Sequence, residues 1–332
     1  MQLNRLNRRE IFAFLSAMTV LPLQAGRAQQ SENLARIGFL PLGLPSNQLD
    51  LSYVEAFRKG LVDNGLIEGR NVILDVVWIA NQEYDQAVIE LVRRGATVLV
   101  PVASSASAAC KRQTSAIPIV FLAVSNPVAI GIVESLSHPG GNVTGFTDVS
   151  GQLSGKLVEF ARELTPAGKP IGYLWQDKWI DGQSRLLATE QAAKASGMAL
   201  QARAVSDVTE LNSILADLKS NGIKAVIVQP AGFTWRHRQQ IIEALKRSTL
   251  AMICGWPPSA AEGALIGYGT DYPDIYRGAA SYVSRVLKGE KPAELPVQNP
   301  TKFQLVINLK TAKAIELQIP ASLLATADEV IE

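Results

Sequence analysis

Residues 98–122 read VLVPVASSASAACKRQTSAIPIVFL. Two short, continuous apolar runs, Val98 to Val102 and Ile119 to Leu122, stand on either side of one helix-length segment, Ser104 to Thr114. Strands apolar on both faces belong to parallel sheets buried under helices, and joining two parallel strands takes a crossover of about a dozen residues or more. The stretch is therefore a βαβ unit, and the chain is of the α/β class.

The alternation extends in both directions. Upstream, Ile37 to Leu40 reads as a first buried strand and Leu49 to Asn64 as a helix with Tyr53, Phe57 and Leu61 along one face. Val72 to Trp78 reads as a second strand and Tyr84 to Arg93 as a helix. Asn64-Gly65 closes the first helix, since both residues tolerate the left-handed cap. With the two strands of the opening stretch, the pattern of one lobe is complete. His138-Pro139-Gly140-Gly141-Asn142 is then a run of turn formers that no element interior accepts, and the first passage between lobes is placed just after it. A second series follows: strand Ile171 to Trp175 and helix Ser184 to Ser196, strand Leu200 to Ala204 and helix Val208 to Ser220, strand Ala225 to Val228 and helix Trp235 to Ser248. Ala251 to Cys254 and Leu265 to Tyr268 add strands, Ile275 to Leu287 is a helix and Phe303 to Leu309 a last apolar run. Two such series imply two sheets, in two Rossmann-like lobes.

Composition agrees with two lobes of ordinary size: 332 residues, 47% of them hydrophobic and 19% charged. Thirty-two basic against 30 acidic residues leave a net charge of +2, which offers no electrostatic footprint for nucleic acid or an anionic membrane. Cys110 and Cys254 follow no metal-ligand spacing and read as buried free thiols that do not pair. Near the start, Arg5, Arg8 and Arg9 precede an apolar run from Ile11 to Leu23, after which small residues around Ala25 and Ala28 suit a signal peptidase. That run is shorter than the ~20 residues that span a bilayer. Residues 1–28 therefore read as a cleaved signal peptide, and Arg8-Arg9 suits the twin-arginine route. No cysteine follows the run, so the mature chain is expected free in the periplasm, neither lipid-anchored nor membrane-spanning.

Chemistry is mostly missing. The sequence has no Gly-x-Ser-x-Gly elbow, no Gly-x-Gly-x-x-Gly after the first strand and no Gly-x4-Gly-Lys-[Ser/Thr] loop. Neither His138 nor His237 has an acidic or histidine partner three or four residues further on, and no helix-turn-helix precedes the first strand. A catalyst, a metal site, a cofactor and a DNA-binding role are all unsupported.

Ligands of open parallel sheets bind beyond the carboxyl ends of the strands. Leu42 and Ser46 lie in the loop after the first strand. Ala103, Ser104 and Ser105 open the helix after the third, where backbone N–H groups and hydroxyls suit a carboxylate; serines there also serve as plain caps. Ser125 and Asn126 follow the fourth strand, with Pro127 opening a next helix. In the second lobe Trp175 and Trp179, Gln229 and Gly232 with Phe233 and Trp235, and Trp256 follow successive strands. Asp271 stands at a further crossing and could accept from a ligand ammonium. Polar first-lobe loops are thus expected to hold a head group, and aromatic second-lobe loops the ligand body.

With these residues in view, the chain resembles the family of ABC-transporter substrate-binding proteins that includes tryptophan- and phenylalanine-binding members. The resemblance runs through Arg36-Ile-Gly-Phe-Leu, Ala56-Phe-Arg-Lys-Gly-Leu, Glu68-Gly-Arg-Asn-Val, Ile117-Pro-Ile-Val-Phe and Ser137-His-Pro-Gly-Gly-Asn-Val-Thr-Gly. It is most specific in Leu295-Pro-Val-Gln-Asn-Pro-Thr-Lys-Phe and the closing Ala327-Asp-Glu-Val-Ile-Glu. It implies a type I periplasmic binding protein: three crossings form the hinge, and the penultimate helix returns to the first lobe. The lobes then comprise 33–144 with about 271–298, and 145–270 with about 299–332. It also implies a monomer that captures a small organic molecule, an aromatic or apolar carboxylate or amino-acid-like compound, and delivers it to an ABC permease in the inner membrane. A periplasmic receptor for a signalling partner is the alternative. The chain departs from the family where Asn126-Pro127-Val128 replaces the usual Asp-Pro-Val and Ala103-Ser104 the common Gly-Thr.

Overall fold

The computed structural model describes residues 34–79 and 83–332, so the export-signal reading lies outside the described residues. Strands β1 (Ala35–Leu40), β2 (Val72–Val76), β3 (Val98–Pro101), β4 (Ile119–Val124) and β5 (Val143–Thr147) form one parallel sheet in the order β2-β1-β3-β4-β5. Its period-2 side chains divide between two layers. Ile37, Phe39, Val98 and Val100 meet Tyr53, Phe57 and Leu61 of α1 (Gln48–Asp63). Leu40, Leu99 and Phe121 meet Val88 and Leu91 of α2 (Tyr84–Arg93) and Ala106, Ala109 and Cys110 of α3 (Ser104–Gln113). Asn47 starts α1 by accepting from the N–H groups of Leu49 and Asp50.

The second sheet repeats the scheme and extends it. β6 (Ile171–Trp175), β7 (Leu200–Ala204), β8 (Ala225–Val228), β9 (Ala251–Cys254), β10 (Ile266–Thr270), β11 (Phe303–Asn308) and β12 (Glu329–Ile331) lie in the order β12-β11-β10-β9-β8-β6-β7. All neighbours are parallel except β10 and β11. Helices α4 (Ser154–Glu163), α5 (Gly182–Ala195), α6 (Leu211–Ser220), α7 (Gly232–Arg236) and α8 (Arg238–Arg247) connect and cover it. From β10 the chain turns back as α9 (Tyr272–Leu287), which packs along α1: the Tyr276 ring stacks on Tyr53 at 5.2 Å. Gly60 permits this approach, because a Cβ there would lie 2.9 Å from the Arg277 backbone.

Three passages of chain run side by side between the sheets. The Thr147 N–H donates to the Gln298 carbonyl and the Gln298 N–H to that of Gly145, while Thr270 Oγ1 donates to the Asp148 carbonyl. The Asp271 N–H donates to Lys302, completing the strap.

Several elements differ from the sequence reading. β5 and α4 had not been read as elements. β5 is a short run broken by Gly145, whose φ of 155° is forced by Phe121: a Cβ would fall 2.1 Å from the Phe121 carbonyl oxygen. No helix follows Pro127. The chain makes a single turn that Gly131 ends at φ 70°, and Asn126 Oδ1 is used inside it, accepting from the Ala129 N–H. The helix read from Trp235 to Ser248 is two, parted at His237.

Candidate ligand-binding site

In both sheets the strand order reverses direction once, between β1 and β3 and between β6 and β8, and loops at such points splay apart to leave a crevice. The two crevices face each other and form one cavity. Leu42 reaches it from the loop after β1; Val102, Ala103 and Ser104 from the end of β3; Ala123 from β4. Opposite stand Trp179 after β6, Pro230 and Ala231 after β8, and Trp256 after β9. Tyr53 of α1, Tyr272 and Tyr276 of α9, Arg185 of α5, Trp235 of α7 and Asp148 of the first crossing complete the wall. The lobes stand close together, leaving about 30 Å³ open to the centre of a water molecule, room for a few waters.

At one side of the cavity α3 presents its N-terminus. Ala103 takes φ 71°, ψ 167°, a backbone region reserved for glycine that costs a side chain about 1–3 kcal/mol. It provides no side-chain cap, and the first helical bond runs from the Ser107 N–H to the Ala103 carbonyl. The N–H groups of Ser104, Ser105 and Ala106 lie ahead of that bond and have no acceptor within the helix. Ser104 Oγ is also without a partner although the residue is 1% exposed. A buried hydroxyl and helix N–H groups without an intrahelical acceptor thus stand together at a cavity wall, an arrangement whose donors suit an anion.

The charged centre lies nearby. Asp148 Oδ1 accepts from the Ser150 N–H and Oγ at 3.0 and 2.8 Å, and Oδ2 from the Tyr272 hydroxyl at 3.2 Å. Arg185 holds Asp181 Oδ2 at 2.9 Å and donates to the Pro230 carbonyl at 3.0 Å. All three charged residues are buried, and Asp181 Oδ1 has no hydrogen-bond partner. Two carboxylates against one guanidinium leave the group with an excess of negative charge, which a cation would relieve. Burial pushes the Asp148 carboxyl above the usual carboxylate range, against the pull of Arg185.

Much of the remaining wall is aromatic. Trp235 and Trp256 meet edge to face at 4.8 Å, and Tyr53 stands 6.0 Å from both Trp235 and Tyr272. Trp179 packs with Ala231 of its own side and with Leu42 and Ala103 across the cleft, its Nε1 without a partner. The Tyr53 hydroxyl is likewise unpaired.

Of the residues singled out from sequence, Leu42, Ala103, Ser104, Trp179, Trp235 and Trp256 line this cavity. The others do not. Ser46 lies at a separate rim cavity beside Arg236 and Arg238, and Ser105 stands beside Ser104 without lining the site. Ser125 Oγ accepts from the Gly151 N–H, and Asn126 is exposed. Trp175 packs onto the second-sheet core. Gln229 is spent bracing loops, accepting from the Gln176 N–H and donating to the Gly182 carbonyl. Gly232 makes room for Trp179, since a Cβ would come 2.5 Å from its ring. Asp271 caps α9, accepting from the Asp274 N–H, and lines a different cavity at the hinge. The strand-end rule reached helix-borne residues only close to a strand end, such as Ser104 and Trp235. It passed over Tyr53, Arg185 and Tyr276, and Asp148 with the unread β5, and Tyr272 just beyond β10 was not singled out. The Asp181/Arg185 pair at i, i+4 was the legible trace of the charged centre.

Two parallel-sheet lobes closing on a buried, partly unsatisfied cavity define a solute-binding protein of the type I periplasmic fold. The chain belongs to the family described as ABC transporter substrate binding protein, whose model matches residues 47–331. This is a family of binding proteins, not enzymes. The chain is 26% identical over 270 residues to the tyrosine-binding protein of Clostridioides difficile strain R20291, covering 80% of this chain and 76% of that protein. Among solved structures it resembles a Streptococcus domain in complex with L-Trp, at 26% identity and a TM-score of 0.80, covering 90% of this chain and all of that one. A conserved domain protein from Vibrio cholerae matches with the same identity, coverage and TM-score. Among the described residues no helix is long and apolar enough to cross a membrane.

Proposed function

We propose that this protein is the exported, monomeric solute-binding component of an ABC importer, and that its cargo is an aromatic amino acid or a closely similar aromatic carboxylate handed to an inner-membrane permease. The observation that carries the reading is Ser104 Oγ, buried without a partner at the open N-terminus of α3 in a cavity whose wall includes three tryptophans and three tyrosines. A ligand carboxylate satisfies these donors, an ammonium answers the excess charge of Asp148 and Asp181, and a flat body lies among Trp179, Trp235 and Trp256. The L-Trp complex of one relative and the tyrosine-binding name of another support the same class. The two lobes, 33–144 with about 271–298 and 145–270 with about 299–332, close over the ligand in the periplasm, and the closed form engages the permease.

The test is calorimetric titration of the mature chain, unfolded and refolded to strip any carried ligand, with L-tryptophan, L-tyrosine, L-phenylalanine and their deaminated acids. At least one of them is expected to bind, and Ser104→Ala to weaken it about 10-fold or more, since a hydrogen bond to a charged group is worth about 1.5–3 kcal/mol. Binding by none of them would remove the ligand class. Uptake of the labelled ligand by cells with and without the gene tests the importer role.

A further inference from the structure

Asp50 lies in the first turn of α1 and is 1% exposed. Within its own lobe its Oδ2 accepts from the Leu44 N–H at 2.8 Å. Its other partners come from across the cleft. Trp235 Nε1 donates to Oδ1 at 2.9 Å, and the Arg238 guanidinium stands 3.2 Å from the same oxygen. Arg238, 2% exposed, is bound in turn to Glu262 at 2.6 Å and to the Trp235 carbonyl at 3.0 Å, and its guanidinium lies 4.3 Å from the centre of the Trp235 ring. Arg236, between them in sequence, donates across the same boundary to the Ile79 carbonyl.

This arrangement makes a ligand wall depend on lobe position. Trp235 lines the cavity, yet its N–H is taken by a carboxylate of the opposite lobe and one side of its ring by a cation. Parting the lobes breaks both bonds to Asp50, whereas Arg238 keeps Glu262, a partner in its own lobe. Closing them strips water from Asp50 whether or not a ligand is present, and only the cross-cleft N–H and guanidinium offset that penalty. A buried carboxylate deprived of one of these partners opposes closure.

We propose that Asp50 is a positioning residue of the ligand site: by receiving the Trp235 N–H and the Arg238 guanidinium across the cleft, it latches the lobes shut and sets the indole wall, so that ligand dwell time depends on a contact remote from the ligand. The proposal rests on the cleft being the binding site, but the latch itself can be measured without a ligand. Cysteines placed at exposed Val62 on α1 and Leu187 on α5 take spin labels, while native Cys110 and Cys254 are buried. In the stripped mature chain the inter-label distance distribution should contain a short, closed population. Asp50→Ala and Trp235→Phe should each deplete it, and the double variant should go no further than the worse single one, because both remove the same bond. Trp235→Phe keeps the aromatic wall and so guards against a variant that merely misfolds. With L-tryptophan as probe, stopped-flow measurements should show koff raised about 10-fold in Asp50→Ala, a residue outside the cavity lining, and kon changed by less than about 3-fold, the pattern of a contact formed after capture. Additive losses in the double variant, or distance distributions unchanged from the parent, would overturn the latch. Failure of L-tryptophan to bind the parent would count against the proposed ligand class, and the distance measurement would still decide the latch.

Discussion

Ala103 and Asp148 show how single residues carry the site. Ala103 occupies backbone space suited to glycine because its conformation turns the N-terminus of α3 toward the cavity. Ala103→Gly should relieve about 1 kcal/mol of strain and raise the melting temperature of the ligand-free protein by about 2 °C, readable by scanning calorimetry. An unchanged or lower melting point would mean that the methyl contact with Trp179 matters more than the strain. For Asp148 the sign follows from burial. Its folded-state pKa is raised, so its contribution to stability falls as pH rises from the unfolded carboxylate value, about 3.9, to the raised one, and is level above that. A bound ammonium favours the ionised form. Affinity for an amino acid should therefore be full above the raised pKa and decline as pH falls through it. Titrations in two buffers of different ionisation enthalpy should detect proton release on binding around and below the raised pKa, and Asp148→Asn should abolish both the release and the pH dependence. Binding without proton release would place the ammonium elsewhere.

Elements position these residues by packing. α9 belongs to the second series in sequence yet lies on α1, and the contact requires Gly60. Gly60→Ala forces a methyl against the Arg277 backbone and should destabilise the protein by about 1–3 kcal/mol, as overpacking does. Denaturant unfolding measures this, and because Tyr53 and Tyr276 meet across the same helix pair, ligand affinity should fall too. Most strands and helices were legible because the continuous apolar run and the 3.6-residue stripe survive in the sequence. β6, β7, β8 and β9 begin and end where those runs do. β5 was not legible, since Gly145 breaks its pattern for a reason supplied by Phe121 on the neighbouring strand. The turn after β4 was misread as a helix because Pro127 opens either, and Gly131 decides which.

At the scale of the whole molecule, the proposed capture requires the two lobes to part. Cys110 lies in the first-sheet core and Cys254 at the end of β9, both unpaired, with Cys254 beside Ser259 Oγ and its thiol pushed up to about 11 by burial. The unfolded, unreduced chain should titrate two thiols and the native one essentially none. A missing thiol in the unfolded monomer would reveal a bridge that pins the lobes.

The sequence by itself determined the α/β class, the two sheets and the loops beyond the strand ends, because these follow from local periodicity and chain order; the family came from the resemblance of its motifs. It also placed Ser104 and Trp179 at those loops. Only the tertiary structure decided which loops converge, and it brought in residues no strand-end rule points to. Tyr53 and Tyr276 face the cavity because α9 folds back onto α1, Arg185 because it lies on the buried side of α5, and Asp148 because a crossing passes there. Asn126 and Asp271 have the right chemistry at plausible positions, but their oxygens accept from N–H groups three residues on. Whether a polar side chain serves a ligand or its own turn depends on the partners that folding brings within hydrogen-bond reach, and a linear pattern does not contain them.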